Sequence, residues 1–164
     1  MYQKLQALLP EFVIEPVTLD NLSTYEPIFF SNDDYFYLTD GHRATRELCE
    51  ETISDFPPYN VYKIGVSQNG QAVSFLSILE KYPDADTLYI GLLLVDETLH
   101  RKSIGTSIMK ALFTIAADQN FKSLRLSVQE NNTSGLHFWK KMGFSEIDRC
   151  ACDGFDNLSM KYDI

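Results

Sequence analysis

The run Thr87-Leu88-Tyr89-Ile90-Gly91-Leu92-Leu93-Leu94-Val95 is almost wholly apolar, and soon after it the chain changes period. Its borders are the turn-forming Tyr82-Pro83-Asp84-Ala85-Asp86 on one side and the acidic Asp96-Glu97 on the other. A continuous apolar run of this length is a strand buried on both faces, so it belongs in the middle of a sheet. Beyond it, Ile104, Ile108, Leu112, Ile115 and Ala116 fall on one face of a helix from about 104 to 118. Ser123-Leu124-Arg125-Leu126-Ser127-Val128 then alternates as a strand. A central strand, a crossover helix and a second strand form the frame that the other elements must fit.

Before that frame, the first nine residues read as a short helix or a loose arm. Residues 12–17 read as a strand ending near Pro16. Thr18 or Asp20 is placed to cap a helix running to about Phe30. Ser31-Asn32-Asp33-Asp34 reads as a polar turn passing into the aromatic cluster Tyr35-Phe36-Tyr37. Residues 45–53 read as another helix, with Pro57-Pro58 ending the region. Residues 61–67 and 72–79 are strands joined through Asn69-Gly70, a pair suited to a left-handed hairpin turn. Residues 61–95 thus predict an antiparallel meander with its best-buried strand last. After the frame come a helix over residues 132–142 closed by Gly143, then strands near 144–149 and 157–162. The expectation is one domain over residues 1–164: a three-layer mixed α/β (α+β) fold with helices flanking one central sheet.

Composition narrows the function. Apolar residues make up 45% of the 164, charged residues 23%, and the net charge is −9. A general nucleic-acid binder needs a basic face, so that class is not expected. No apolar run reaches the ~18 residues of a membrane span. Met1-Tyr2-Gln3-Lys4-Leu5 does not read as a signal peptide. Cys49, Cys150 and Cys152 are odd in number, which fits a reducing, cytoplasmic setting better than a disulfide framework. His42, His100 and His137 are scattered and show no zinc spacing, so no metal is expected.

The chemistry concentrates where the apolar strand meets the helix, at His100-Arg101-Lys102-Ser103-Ile104-Gly105-Thr106. Amide groups at a helix start are unpaired and point outward. With the helix dipole they can cradle a phosphate. Gly105 allows a close backbone approach, and Arg101 and Lys102 add positive charge to an acidic chain. The same turn also suits a plain strand-to-helix connection with a solvated basic pair. It is neither a Walker loop nor the three-glycine dinucleotide fingerprint.

Two motifs together resemble the GNAT superfamily of N-acetyltransferases over roughly residues 12 to 162. That family's phosphate loop has Gln or Arg, two variable residues, Gly, one variable residue, then Gly or Ala. His100 to Gly105 fill those positions, with Gly105 kept, Ser103 for the first Gly and His100 for the leading Gln or Arg. The family's later motif has Asn, two residues, Ala, three residues and Tyr before a closing Gly-Phe. Here Asn132 matches, Gly135 replaces the Ala, Trp139 takes the Tyr position, and Lys140-Lys141-Met142-Gly143-Phe144 follows.

The resemblance implies a GNAT-like acyltransferase fold whose mostly antiparallel sheet is splayed between strands 87–95 and 123–128, with acetyl-CoA in the opening. Backbone groups of Leu93, Leu94 and Val95 would pair with the pantetheine, and an N–H near Leu94 would stabilise the developing oxyanion. Residues 101–106 would hold the pyrophosphate. A neutral primary amine would attack the thioester directly in a ternary complex. Trp139 cannot transfer a proton as tyrosine does, so it is expected to pack against the pantetheine or to anchor the core. Tyr89 and Glu130 are the substitute acid or base candidates. Tyr89 would share a face with Val95 unless a β-bulge intervenes. Asp33, Asp34, Tyr35 and Tyr37 would form an acceptor pocket suited to a cationic amine on a small molecule or a protein. The protein would be a monomer or a homodimer. The alternative reading is a catalytically silent acyl-CoA-binding or protein-interaction domain of the same fold.

Overall fold

The computed structural model describes residues 1–54, 60–152 and 155–164, and the side chains of all of these except 152 and 155. The expected helix stop at Pro57-Pro58 lies outside the described residues. Seven strands form one sheet in the order β1-β2-β3-β4-β5-β7-β6. They are β1 (Val13–Pro16), β2 (Asn60–Gln68), β3 (Gln71–Glu80), β4 (Thr87–Val95), β5 (Ser123–Gln129), β6 (Ser145–Cys152) and β7 (Phe155–Asp163). Every neighbouring pair is antiparallel except β4 and β5, which run parallel as a crossover helix requires. The hairpin turn forms as expected, with Asn69 and Gly70 both left-handed at φ 53° and 78°.

Helices cover both faces. On one, α1 (Tyr2–Leu8), α5 (Ile104–Asp118) and α6 (Thr133–Lys141) build the larger core. Leu5, Ile108, Leu112 and Ile115 meet Leu88, Ile90, Leu124 and Leu126 there. On the other, α2 (Leu22–Ser31), α3 (Asp33–Asp40) and α4 (Arg46–Ser54) pack on Phe75, Leu92 and Leu94.

Three expectations change. Neither Thr18 nor Asp20 caps α2. Asn21 stands at the N-cap position, and its Oδ1 accepts from the Thr18 N–H at 2.8 Å in the turn before the helix instead of from a helix amide. Residues 33–40 are a helix, not a turn: Asp33 and Asp34 occupy its first turn, where carboxylates favour the dipole, and Gly41 at φ 76° ends it. The best-buried strand is β3, in which residues 73–78 are all buried, while β4 has an exposed Gly91 and half-buried Leu92 and Leu93. An apolar strand left partly wet in the middle of a sheet marks a place where something else covers it.

Candidate active site

The sheet opens between β4 and β5. Their parallel pairing covers only residues 87–90 against 123–126. Past that point β4 continues on β3 and β5 continues on β7, with no further pairs between β4 and β5 among the described residues. A β-bulge lies at the same place: Ile90 opposes Ile78 and Leu92 opposes Ser77, so Gly91 is the extra residue. The bulge reverses the face of everything before it. Leu88 and Ile90 join the larger core, as do Leu93 and Val95, while Leu92 and Leu94 join the second. Tyr89 therefore shares a face with Leu92 and Leu94 and not with Val95, because the bulge breaks the even spacing.

The alternation of backbone groups shows which amides face the gap. The Asp96 N–H donates to the Val73 carbonyl of β3 at 3.0 Å. Alternation then turns the Leu94 amide toward β3 and those of Leu93 and Val95 toward the opening. The Leu94 carbonyl agrees, since it accepts from the β3 side chain Ser74. Of the amides near Leu94, those of Leu93 and Val95 are therefore the ones that face the gap. The Val95 carbonyl accepts from Asn32 Nδ2 at 3.0 Å and lies 2.9 Å from His100 Nε2. Asn32, at the α2–α3 junction, has no motif signal. Only its distance from β4 in sequence hides it.

At the end of the gap a single 3₁₀ turn, Glu97–Leu99, leads into α5. Arg101 and Ser103 are both left-handed, at φ 61° and 66°. At the Ser103 position, where the resembled motif has glycine, a side chain therefore carries backbone strain. The first intrahelical bond runs from the Ser107 N–H to the Ser103 carbonyl at 2.9 Å, so the amides of Ile104, Gly105 and Thr106 precede it. Arg101 and Lys102 are exposed beside them. A methyl group on Gly105 would lie 3.4 Å from Phe138 Cζ and 3.7 Å from Val95 Cγ2, so the bare side of Gly105 faces the slot where α6 and β4 come into contact, with room for a methyl group and little more. Free amides, two cations and a bare glycine together fit a pyrophosphate.

Helix α6 walls the slot. Asn132 caps it, with Oδ1 accepting from the Gly135 N–H at 2.9 Å, so its carboxamide oxygen is committed to the helix start. Trp139 is buried at 9% exposure and meets Phe138 and Phe144 edge-on, with centroids 4.9 and 5.4 Å apart. It is a core residue, and the half-buried Phe138 beside it faces the slot.

The expected acid–base and acceptor residues scatter. Glu130 is held by Arg149 at 2.8 Å in an exposed cluster with Glu146 and Asp156. Burial, then the neighbouring Tyr82, raises the Tyr89 hydroxyl above its ordinary range. Asp33, Asp34 and Tyr37 come together with Arg43 around an open depression of about 340 Å³. Tyr35 does not join them. It packs on the second core, where burial and the charge of Asp40 push its pKa up to about 12. Asp33 is partly spent, accepting from the Ala44 N–H at 3.1 Å and facing Arg43 at 3.6 Å.

A splayed parallel pair, a bulged apolar strand and a helix start with free amides are what the resemblance to N-acetyltransferases implies, and comparison with known proteins shows that class. The chain belongs to the acetyltransferase (GNAT) family, whose model matches residues 25–144. It is similar to the peptidyl-lysine N-acetyltransferase YjaB of Salmonella typhimurium, at 30% identity over 71% of this chain and 70% of that one. Among solved structures, an acetyltransferase from Thermus thermophilus superposes with TM-score 0.75 at 20% identity, covering 93% of this chain and 97% of the other. PaiA N-acetyltransferase from Thermoplasma acidophilum, in complex with coenzyme A, superposes with TM-score 0.65 at 18% identity, covering 93% and 99%. At these identities the two structures speak for the fold.

Proposed function

We propose that the protein transfers the acetyl group of acetyl-CoA to a primary amine by direct attack in a ternary complex. The observation that carries this reading is the parting of β4 from β5 after Ile90 and Leu126, with α5 starting at its end. Acetyl-CoA supplies an acetyl group activated as a thioester. The amides of Leu93 and Val95 bind and orient it along β4, and one of them meets the negative charge that develops on the carbonyl oxygen. The α5 start, with Arg101 and Lys102, holds the pyrophosphate. Half-buried Leu92, Leu93 and Phe138 exclude water from the arm. With Trp139 in the tyrosine position, that position offers the thiolate no ionisable group. The amine gives its proton to water, and the thiolate leaves without a dedicated acid. The name of the Salmonella relative supports a lysine side chain of a protein as one acceptor class.

The test is calorimetric titration with acetyl-CoA followed by CoA release over a panel of amines and lysine peptides. Saturable binding with amine-dependent release is the expected result. No binding at millimolar cofactor would overturn the reading, and tight binding with no turnover across the panel would favour a silent acyl-CoA-binding domain.

A further inference from the structure

We infer that the acceptor carries a carboxylate near its reactive amine and that Arg125 of β5 holds that carboxylate, an inference that rests on the acetyltransferase reading above. Arg125 stands in register with Tyr89 of β4 and Lys161 of β7, so the three side chains form a row on one face of the sheet. The row lies one position before the last β4–β5 pair, directly below the gap. Ser127, the next residue on that face of β5, is exposed and lies about 7 Å farther along the strand. Helices α2 to α4 cover this face over β3 and the end of β4. Among the described residues, their core takes nothing from β5, β6 or β7. Among the described residues, α2 to α4 therefore leave the row outside their core, on the side of the sheet away from α5 and α6.

The guanidinium there has unused capacity. Arg125 Nε is buried and has no hydrogen-bond partner among the described residues. Nη2 lies 3.7 Å from Asp84 Oδ2, beyond hydrogen-bond reach. The other oxygen of Asp84 already accepts from Thr87 Oγ1 at 2.8 Å and the Asp86 N–H at 3.1 Å. A buried donor without an acceptor is costly, and a planar fork that keeps one is matched best by the two oxygens of a carboxylate. Lys161, itself paired with Asp163 at 2.6 Å, adds positive potential alongside. Charge of the opposite sign lies at the other end of β5, where Gln129 Nε2 donates to the Thr39 carbonyl of α3, next to Asp40, while Asp33 and Asp34 stand at that helix's far end. The gap thus lies between a guanidinium and an acidic helix, a polarity that orients a molecule with its carboxylate on Arg125 and its amine at the opening.

Matched acceptors test this. L-Lysine is compared with L-lysinamide, and a lysine peptide with Asp beside the lysine is compared with its Asn twin, which separates a free amino acid from an acidic peptide as the source. The carboxylate member of at least one pair is expected to have a kcat/KM about tenfold higher. Arg125→Gln should reduce that preference to less than about threefold with acetyl-CoA affinity unchanged. Asp84→Asn, which removes the same ion pair but leaves the guanidinium, should keep the preference. Independently of turnover, the NMR resonance of the Arg125 Nε–H should shift on titration with the preferred carboxylate and not with its amide. Equal rates within both pairs, a preference that survives Arg125→Gln, or a resonance unmoved by all four ligands overturns the inference. Loss of acetyl-CoA binding with the resonance response intact would overturn the acetyltransferase reading alone.

Discussion

Trp139 occupies the place where the family often has a tyrosine, and its surroundings decide what it does there. Edge-on contacts with Phe138 and Phe144 tie the end of α6 to the start of β6, and the indole has no proton to give near neutral pH. Trp139→Phe is expected to keep most stability and turnover. Trp139→Ala should cost about 3–5 kcal/mol in urea denaturation and weaken acetyl-CoA binding as α6 shifts. Trp139→Tyr asks whether the hydroxyl can still find the thiolate. With the ring held in the core it should behave like Phe, and a new basic limb in the kcat–pH profile would contradict that. Ser103 offers the opposite kind of test. Its left-handed backbone is the one a glycine adopts without strain, so Ser103→Gly should leave stability unchanged or raise it by up to about 1 kcal/mol.

At the scale of elements, the turn into α5 concentrates positive charge on an acidic chain, and its shape matters more than its charge. Gly105→Glu should weaken acetyl-CoA binding severely, since the side chain must enter the slot between Val95 and Phe138 and repel the pyrophosphate. Arg101→Ala and Lys102→Ala, both at exposed positions, should each cost about 0.5–1.5 kcal/mol of binding, less at high salt. Calorimetry at two ionic strengths separates the two effects, and parent-like binding by Gly105→Glu would remove the turn from the site. This turn was legible in the sequence because a change of hydrophobic period marks it. So were α5, β5 and α6, whose faces repeat over turns or pleats, and β4, whose continuous apolar run marks it. The bulge at Gly91 was not, because a strand apolar on both faces has no alternation to betray a slipped residue. Helix α3 was missed for a related reason. Only Phe36 is fully buried in it, so no period repeats, and contacts distant in sequence, such as Asn32 to Val95, hold its start. Arg125 is one residue of an alternating strand in the sequence, and only the register with Tyr89 puts it beside the gap.

For the molecule as a whole, the second core holds the groups whose pKa burial pushes highest and so carries the response to alkali furthest. The second core contains Tyr25 and Cys49, both fully buried, with Tyr35 packed against it. Burial pushes Tyr25 up to about 12, against a lowering by its bond to Ser67 and with a further rise from Glu15. Tyr35 is likewise pushed up to about 12, and burial followed by Glu26 pushes Cys49 up to about 11. Each group ionises more readily unfolded, near pH 10 for the tyrosines and near 9 for the thiol. Their contribution is therefore complete below about pH 9 and is lost as pH rises through 11 and 12. Urea midpoints should hold to about pH 9 and then fall, by on the order of 2 kcal/mol for Tyr25 and less for the half-buried Tyr35. Tyr25→Phe should be about 1 kcal/mol less stable at pH 8, having lost its bond to Glu15, yet decline less steeply above pH 10. Parallel declines in the two proteins would exclude Tyr25 as a source. Because Leu92 and Leu94 of β4 pack on this core, its loosening should also release one arm of the gap. Acetyl-CoA affinity should accordingly fall over the same pH range as the urea midpoint, and Tyr25→Phe should blunt both declines together.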